Sequence, residues 1–399
     1  MLEPIYITGC GIISSIGVGK RDTLHSLLNK KSGIGKMRFL NSIHKEIPVG
    51  EVQMSNREMA QLLGIEMEDA LSRSVLLGRI ALKEALNDAH IESEQLPNVH
   101  FISATTVADM DRREIYRNNE GECNEYYAKI ATKNCGSCTY EIASYFGTFA
   151  FISTISTACS AATNAIIAGA DMLRSHVADI VVVGGTEALS LFHLNGFNSL
   201  MILDSEQCKP FDKNRSGLNL GEGAAYLVME REESFTKRGV TPIAILSGYG
   251  NACDAFHQTA SSPQGTGAYL AMNEALQMAG LKPCQIDYIN AHGTATLNND
   301  ESETEAIKRI FGENPPPFSS TKSFTGHTTS ASGSIEAVIC LLALNEQFIP
   351  VNLNFKTQME SGLVPYLQGD SQKNIEHILS NAFGFGGNDS TIIISKYQK

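Results

Sequence analysis

Apolar and polar positions along this chain follow two periods. Short β-branched and apolar runs at residues 5–8, 101–104, 151–157, 179–185 and 225–230 read as strands. Between them, Val75, Leu76, Ile80, Leu82 and Leu86 recur at helical spacing and predict a helix over 74–86. A small-residue run predicts a second helix over 161–173. The same order returns further on. Strands are expected at 243–246 and 286–290, helices at 267–279, 301–310 and 333–344, and closing strands at 378–382 and 391–395. Gly9-Cys10-Gly11 reads as a turn after the first strand, and Pro315-Pro316-Pro317 as a rigid turn before another. Strand and helix alternation predicts an α/β architecture. The replayed order predicts two pseudo-symmetric halves, residues 1–240 and 241–399, packed as one unit.

Composition narrows the class. The 399 residues are 43% hydrophobic and 19% charged, enough for a large core and unlike a disordered or coiled-coil chain. A formal net charge of -12 offers no global attraction to nucleic acid or anionic membrane. No apolar run is long enough to span a bilayer. The opening residues lack signal-peptide character. Nine cysteines, an odd number, are expected to be reduced thiols in a cytoplasmic protein.

One cysteine stands where chemistry is expected. Cys159, in Thr157-Ala158-Cys159-Ser160-Ala161, falls where a strand gives way to a helix. Unsatisfied amides and the positive end of the helix dipole there favour the thiolate, the nucleophilic form. His292 lies in Asn290-Ala291-His292-Gly293-Thr294 and His327 in Thr325-Gly326-His327, at equivalent strand ends of the second half. From there both can face a nucleophile of the first half. The loop Phe383-Gly384-Phe385-Gly386-Gly387-Asn388 can bring backbone amides close to an oxyanion.

These blocks together carry a resemblance. In order they read I-T-G-C-G-I-I-S-S-I-G, T-A-C-S-A-A, P-F-D-K-N-R-S-G-L-N-L-G-E-G-A, A-H-G-T-A-T, T-K-S-F-T-G-H and F-G-F-G-G-N. The chain resembles the β-ketoacyl-[acyl carrier protein] synthases, elongating condensing enzymes of the thiolase superfamily, over nearly its whole length. The resemblance implies a thiolase-like fold of layered α/β/α/β/α form, and it implies roles. Cys159 would carry the acyl group as a thioester, and His292 and His327 would stabilise the enolate formed as malonyl thioester loses carbon dioxide. The amides of Cys159 and Phe385 would form the oxyanion hole. Lys322 and Glu336 would organise the site as an ion pair, with Asp254 and His257 in support. Thr294 and Thr296 would hold the pantetheine arm, and Phe197 and Phe385 would guard the acyl entrance. No metal or cofactor is implied, because the phosphopantetheine arm belongs to the acyl carrier protein.

Alternatives within the superfamily are separated by single residues. Thiolases carry a second cysteine in the last glycine-rich loop, and residues 384–388 have none. Initiating synthases pair one His with Asn, whereas this chain has two His. Chain-length factors lose the nucleophile, and this chain keeps Cys159. Fatty-acid elongation is the expected role, as a homodimer acting on acyl and malonyl thioesters. A ketosynthase of a specialised polyene or polyketide pathway, paired with a chain-length factor, is the alternative, and a non-catalytic partner subunit a more distant one. Arg73, Lys209, Lys213 and Arg215 are candidates for gripping an acidic carrier. Cys135-Gly136-Ser137-Cys138, with Cys123 upstream, is a CxxC whose metal or redox reading lacks further ligands.

Overall fold

The computed structural model describes residues 3–67, 71–117, 134–360, 362–369 and 374–398. Among the described residues ten strands build the framework: β1 Ile5–Ser14, β2 Val99–Ala104, β3 Phe151–Ile155, β4 Ile180–Glu187, β5 Gly223–Glu230, β6 Ala244–Cys253, β7 Tyr288–Asn290, β8 Phe318–Ser319, β9 His377–Gly384 and β10 Asn388–Ser395. A short strand, Gly17–Val18, pairs back on β1. They lie side by side in the order β3-β2-β4-β5-β1-β6-β10-β9-β7-β8. Read outward from the centre, each half runs first, fifth, fourth, second, third. The inner pairings β1–β5, β5–β4, β6–β10 and β10–β9 are antiparallel, and the outer ones are parallel. The halves meet where Ile5, Tyr6 and Ile7 of β1 pair with Leu246, Ile245 and Ala244 of β6.

Eight helices bear on the site: α1 Arg73–Asp88, α2 Cys135–Ser144, α3 Ala161–Arg174, α4 Leu191–Ser199, α5 Thr266–Ala279, α6 Leu297–Phe311, α7 Lys322–Thr325 and α8 Ser332–Glu346. Side chains alternate across each strand, so each half-sheet has two buried faces. Val181 and Val183 of β4 join the central core with α3 and α8, while Ile180 and Val182 join α1 and α2 on the other side. In the second half, Ile392 and Ile394 face the central core and Ile393 faces α5 and α6. This is the layered α/β arrangement the resemblance implies. Gly333 opens α8 against α3 so closely that a Cβ there would collide with Thr163.

Two expectations change. The glycines after residue 8 make no turn; β1 continues through Gly9 and Gly11 to Ser14. Side chains there would strike the backbone of Ala81 in α1 and of Ala89 just after it. Gly248 and Gly250 do the same for β6, which passes beneath Ala275 and Ala271 of α5. The glycines therefore mark close helix–strand approach, once in each half. Helix α6 also begins at Leu297, ahead of residue 301, and its first turn carries Asp300, whose charge suits the positive end of the helix dipole.

Candidate active site

The nucleophile turn joins β3 to α3. Ala158 sits at φ 53, a left-handed conformation costing a non-glycine residue roughly 1–2 kcal/mol. A 3-10 turn over Ala158–Ser160 follows and leads directly into α3. The sharp bend turns Cys159 toward the second half, where Nε2 of His327 lies 3.0 Å from its Sγ. Cys159 is buried, and burial pushes its thiol up to about 11. Lys322 and the backbone amides of Phe385 and Cys159 pull the other way without overcoming it. The resting sulfur is thus a protonated thiol beside an imidazole, not the thiolate expected from the helix start. Loss of water around the sulfur outweighs the amides.

Both histidines are held through their backbones. Glu303 of α6 accepts the amides of His292 and Gly293, each at 2.8 Å, and the Asn381 side chain at 3.0 Å. His327 donates its amide to the carbonyl of Asn219 at 2.7 Å, and its Nδ1 lies 2.9 Å from Ser332 Oγ at the start of α8. The two rings stand 5.4 Å apart and nearly perpendicular. Burial, then the charge of Lys322, holds both well below the ordinary imidazole value, so both are neutral near pH 7. Lys322 Nζ pairs with Glu336 Oε1 at 2.5 Å, both side chains buried. Burial pushes the Glu336 carboxyl up and Lys322 opposes that rise.

A cavity of about 230 Å³ leads down to this cluster. Cys159, His292 and His327 line it together with Thr294, Thr296 and Phe385. The Thr294 and Thr296 hydroxyls lie 2.8 Å apart. Phe197 of α4 stacks on Phe385, ring centres 5.9 Å apart. Asp254 stays outside the cavity lining and accepts the amides of Ser262 and Gly267 and the Ser262 hydroxyl, fixing the loop before α5. His257 is exposed in that loop, its Nδ1 accepting the Thr259 amide at 3.1 Å.

Other candidates land elsewhere. Arg73 is buried against Glu222 at 2.6 Å and Arg215 between Asp300 and Glu301, so neither is a surface cation for a carrier. Lys209 pairs with Glu206 at 2.6 Å, and Lys213 is exposed near Glu360. Cys135 opens α2 and Cys138 is buried on the inner face of that same helix; Cys123 lies outside the described residues. Among the described residues no group of three or more His, Cys, Asp or Glu could hold a metal ion.

Three supports escaped sequence reasoning. Glu303 was legible in principle, as a carboxylate on the same helical face as Ala306 and Ile307. Glu187 accepts Ser330 Oγ at 2.6 Å and so ties the His327 loop to the first half. Asn388 Oδ1 accepts Ser160 Oγ and the Asn164 amide, each at 2.6 Å, joining the nucleophile turn to the glycine-rich loop. Neither pairing leaves a local signal, because the partners are far apart in the chain.

Known proteins align with this chain end to end. The family model described as Beta-ketoacyl synthase, N-terminal domain, matches residues 2–234, and its C-terminal counterpart matches residues 243–356. A protein of Synechocystis sp. named 3-oxoacyl-[acyl-carrier-protein] synthase 2 is 32% identical, over 99% of this chain and 98% of that one. The Arabidopsis thaliana protein 3-oxoacyl-[acyl-carrier-protein] synthase II, chloroplastic, is 30% identical over 99% of this chain and 76% of its own. Among solved structures, the ishigamide ketosynthase/chain length factor superposes with a TM-score of 0.93 at 28% identity, covering 100% of both chains. The ketosynthase ApeO of Xenorhabdus doucetiae, solved with its chain length factor ApeC, gives 0.85 at 30% identity, over 99% of this chain and 98% of that one.

Proposed function

The chain belongs to the β-ketoacyl synthase family, and from that membership we propose that Cys159, His292, His327 and Lys322 carry out decarboxylative condensation of an acyl thioester with malonyl-carrier protein in fatty-acid elongation. The observation that carries this reading is the 3.0 Å contact between Cys159 Sγ and His327 Nε2 at the foot of the cavity.

In the first half-reaction His327 takes the thiol proton as sulfur attacks the acyl carbonyl. The carrier thiol leaves with a proton, and the acyl group stays as a thioester on Cys159. In the second, the malonyl carbon–carboxylate bond breaks. Carbon dioxide leaves, and its bonding electrons form an enolate. Neutral imidazoles can each donate one N–H to that oxygen. The enolate carbon attacks the acyl carbonyl, whose developing oxyanion faces the amides of Cys159 and Phe385. Collapse releases the lengthened β-ketoacyl thioester and the Cys159 sulfur, which takes up one proton from solvent to return to the resting thiol. Burial keeps both imidazoles neutral, and the charge of Lys322 adds to that effect.

The neutral alcohols of Thr294 and Thr296 suit the amides of a pantetheine arm, which stays with the carrier, and no further cofactor enters. Assembly follows from the edge of the sheet. β3 pairs only with β2 among the described residues, and Phe151 at its start is exposed. A bare apolar edge beside the nucleophile helix suits a two-fold dimer of this chain. Among the described residues no helix is long and apolar enough to cross a membrane, and we assign the enzyme to the cytoplasm.

Rapid-quench measurement of acyl-enzyme formation, alongside release of carbon dioxide, tests the roles. Acylation of a residue other than Cys159 would overturn them. So would decarboxylation that survives loss of both histidines.

A further inference from the structure

The mouth of the cavity exposes more apolar surface than the chemistry needs. Met201 is 87% exposed and Leu297 60% exposed, and both line the cavity. Leu200, 45% exposed, adjoins Met201, and Phe256, 56% exposed, lies just ahead of the lining residues Thr259 and Ser261. Met201 is held at φ 57 and Ala255, next to Phe256, at φ 49. Side chains in this left-handed region press on their own backbone. A strained backbone position thus presents a largely exposed thioether at the cavity mouth. Leu297 opens α6, a position where an acidic or small polar residue would complement the helix dipole.

Among the described residues, none that lines the cavity is Asp, Glu, Lys or Arg. Arg73 and Arg215 are consumed in buried pairs, Lys209 is paired, and Lys213 lies 3.9 Å from Glu360. The sequence has no arginine between Phe197 and Met201, where it reads Asn198-Ser199-Leu200.

We propose that Leu200, Met201, Phe256 and Leu297 form the docking surface for the carrier protein, and that it is recognised by apolar contact instead of ion pairing. This rests on the function proposed above. A tethered thioester must descend this cavity to reach Cys159, so the body of its carrier rests where the cavity opens. The matching face of the carrier is apolar around the base of its arm. Methionine suits that task, because its unbranched, polarisable side chain adapts to the surface it meets.

Salt distinguishes the two modes, since exposed ion pairs are screened and apolar contacts are not. The intact protein is assayed with acyl- and malonyl-carrier protein, and separately for Cys159 acylation by an acyl N-acetylcysteamine thioester. Raising sodium chloride from ~50 to ~500 mM is expected to change the carrier KM by less than about twofold. Leu200→Glu is expected to raise it about tenfold with kcat little changed, as loss of a contact made equally in ground and transition states, and Met201→Glu, which also alters the cavity wall, to raise it at least as much. Leu200→Glu, whose side chain lies off the cavity lining, retains acylation by the small thioester and so reports that the site is folded. A KM that climbs steeply with salt, with both variants near wild type, overturns the proposal. So does a Leu200→Glu protein that loses its dimer while keeping its carrier KM, because the rim would then belong to a second copy. Failure of the wild type to acylate Cys159 with either thioester would instead defeat the function on which this surface depends.

Discussion

The connection from β3 to α3 and its counterpart from β8 to α8 occupy equivalent places in the two halves, yet they are built differently. The first is residues 156–160, a tight turn with Ala158 in the left-handed region and Cys159 at its tip. The second is residues 320–331, a longer buried loop that houses α7, Lys322 and His327 before α8 begins. Strand order and strand direction are shared by both halves, and so is the pair of glycines beneath a helix. A duplicated framework thus presents two strand ends to one cavity. The chemistry is divided by loop length: a short strained turn fixes one sulfur, and a long loop has room for a cation and an imidazole. Neither half alone contains a working set.

Removing the tip of the short turn should have the largest effect. Cys159→Ala is expected to abolish acyl-enzyme and condensation, checked by intact-protein mass spectrometry after incubation with acyl-carrier protein. Cys159→Gln should keep some malonyl decarboxylation, because its amide resembles an acylated cysteine and both histidines remain. Condensation by the alanine variant at the wild-type rate would break the assignment. On the long-loop side, His292→Ala is expected to lower decarboxylation by about 10²–10³ while sparing acylation, the cost typical of losing a preorganised donor. His327→Ala should slow both half-reactions, since its Nε2 also touches Cys159 Sγ. Equal behaviour of the two variants in acylation would erase the difference drawn between them.

The shared framework can be broken separately. Gly11→Ala and Gly250→Ala each place a methyl group against helix backbone, Ala81 in one half and Ala271 in the other. Each is expected to destabilise the fold by about 1–3 kcal/mol, as overpacking does, measured by chemical denaturation. Markedly unequal costs would mean that the two helix–strand contacts are alike only in outline.

Much of this was legible in the chain because it rests on local signals. The alternation of runs revealed the duplicated α/β order. Cys159, His292 and His327 stood out as reactive residue types at strand ends. What was hidden depends on partners far away in sequence. Ala158 has no residue signature of a positive φ, and only the packed turn enforces it. Arg73 and Arg215 look like surface cations until Glu222 and Asp300 are seen to bury them. The glycines of β1 looked like a turn because their reason, the backbone of α1, lies some seventy residues on. The protonation of Cys159 reversed for the same cause: a helix start is visible in sequence, and the depth at which it is buried is not.

That reversal leads to the smallest expected effect, a near absence of change. A thiol pushed up to about 11 and acting alone would acylate in proportion to its thiolate, rising nearly tenfold per pH unit throughout the neutral range. His327 at 3.0 Å removes that dependence if it takes the proton as the bond forms. Its own value is depressed by burial and by Lys322, so it remains a neutral acceptor above the ordinary imidazole value of 6.5 and for some distance below it. Protonation, and with it loss of acylation, therefore sets in only as the pH falls beneath that value. Wild-type acylation, followed by rapid quench, is expected to vary by less than about twofold between roughly pH 6.5 and 9. The His327→Ala protein should recover the steep rise, because its sulfur must then ionise unaided. A steep wild-type profile would show that the long loop serves the short turn only in the second half-reaction, and His327 would join His292 as an enolate donor alone.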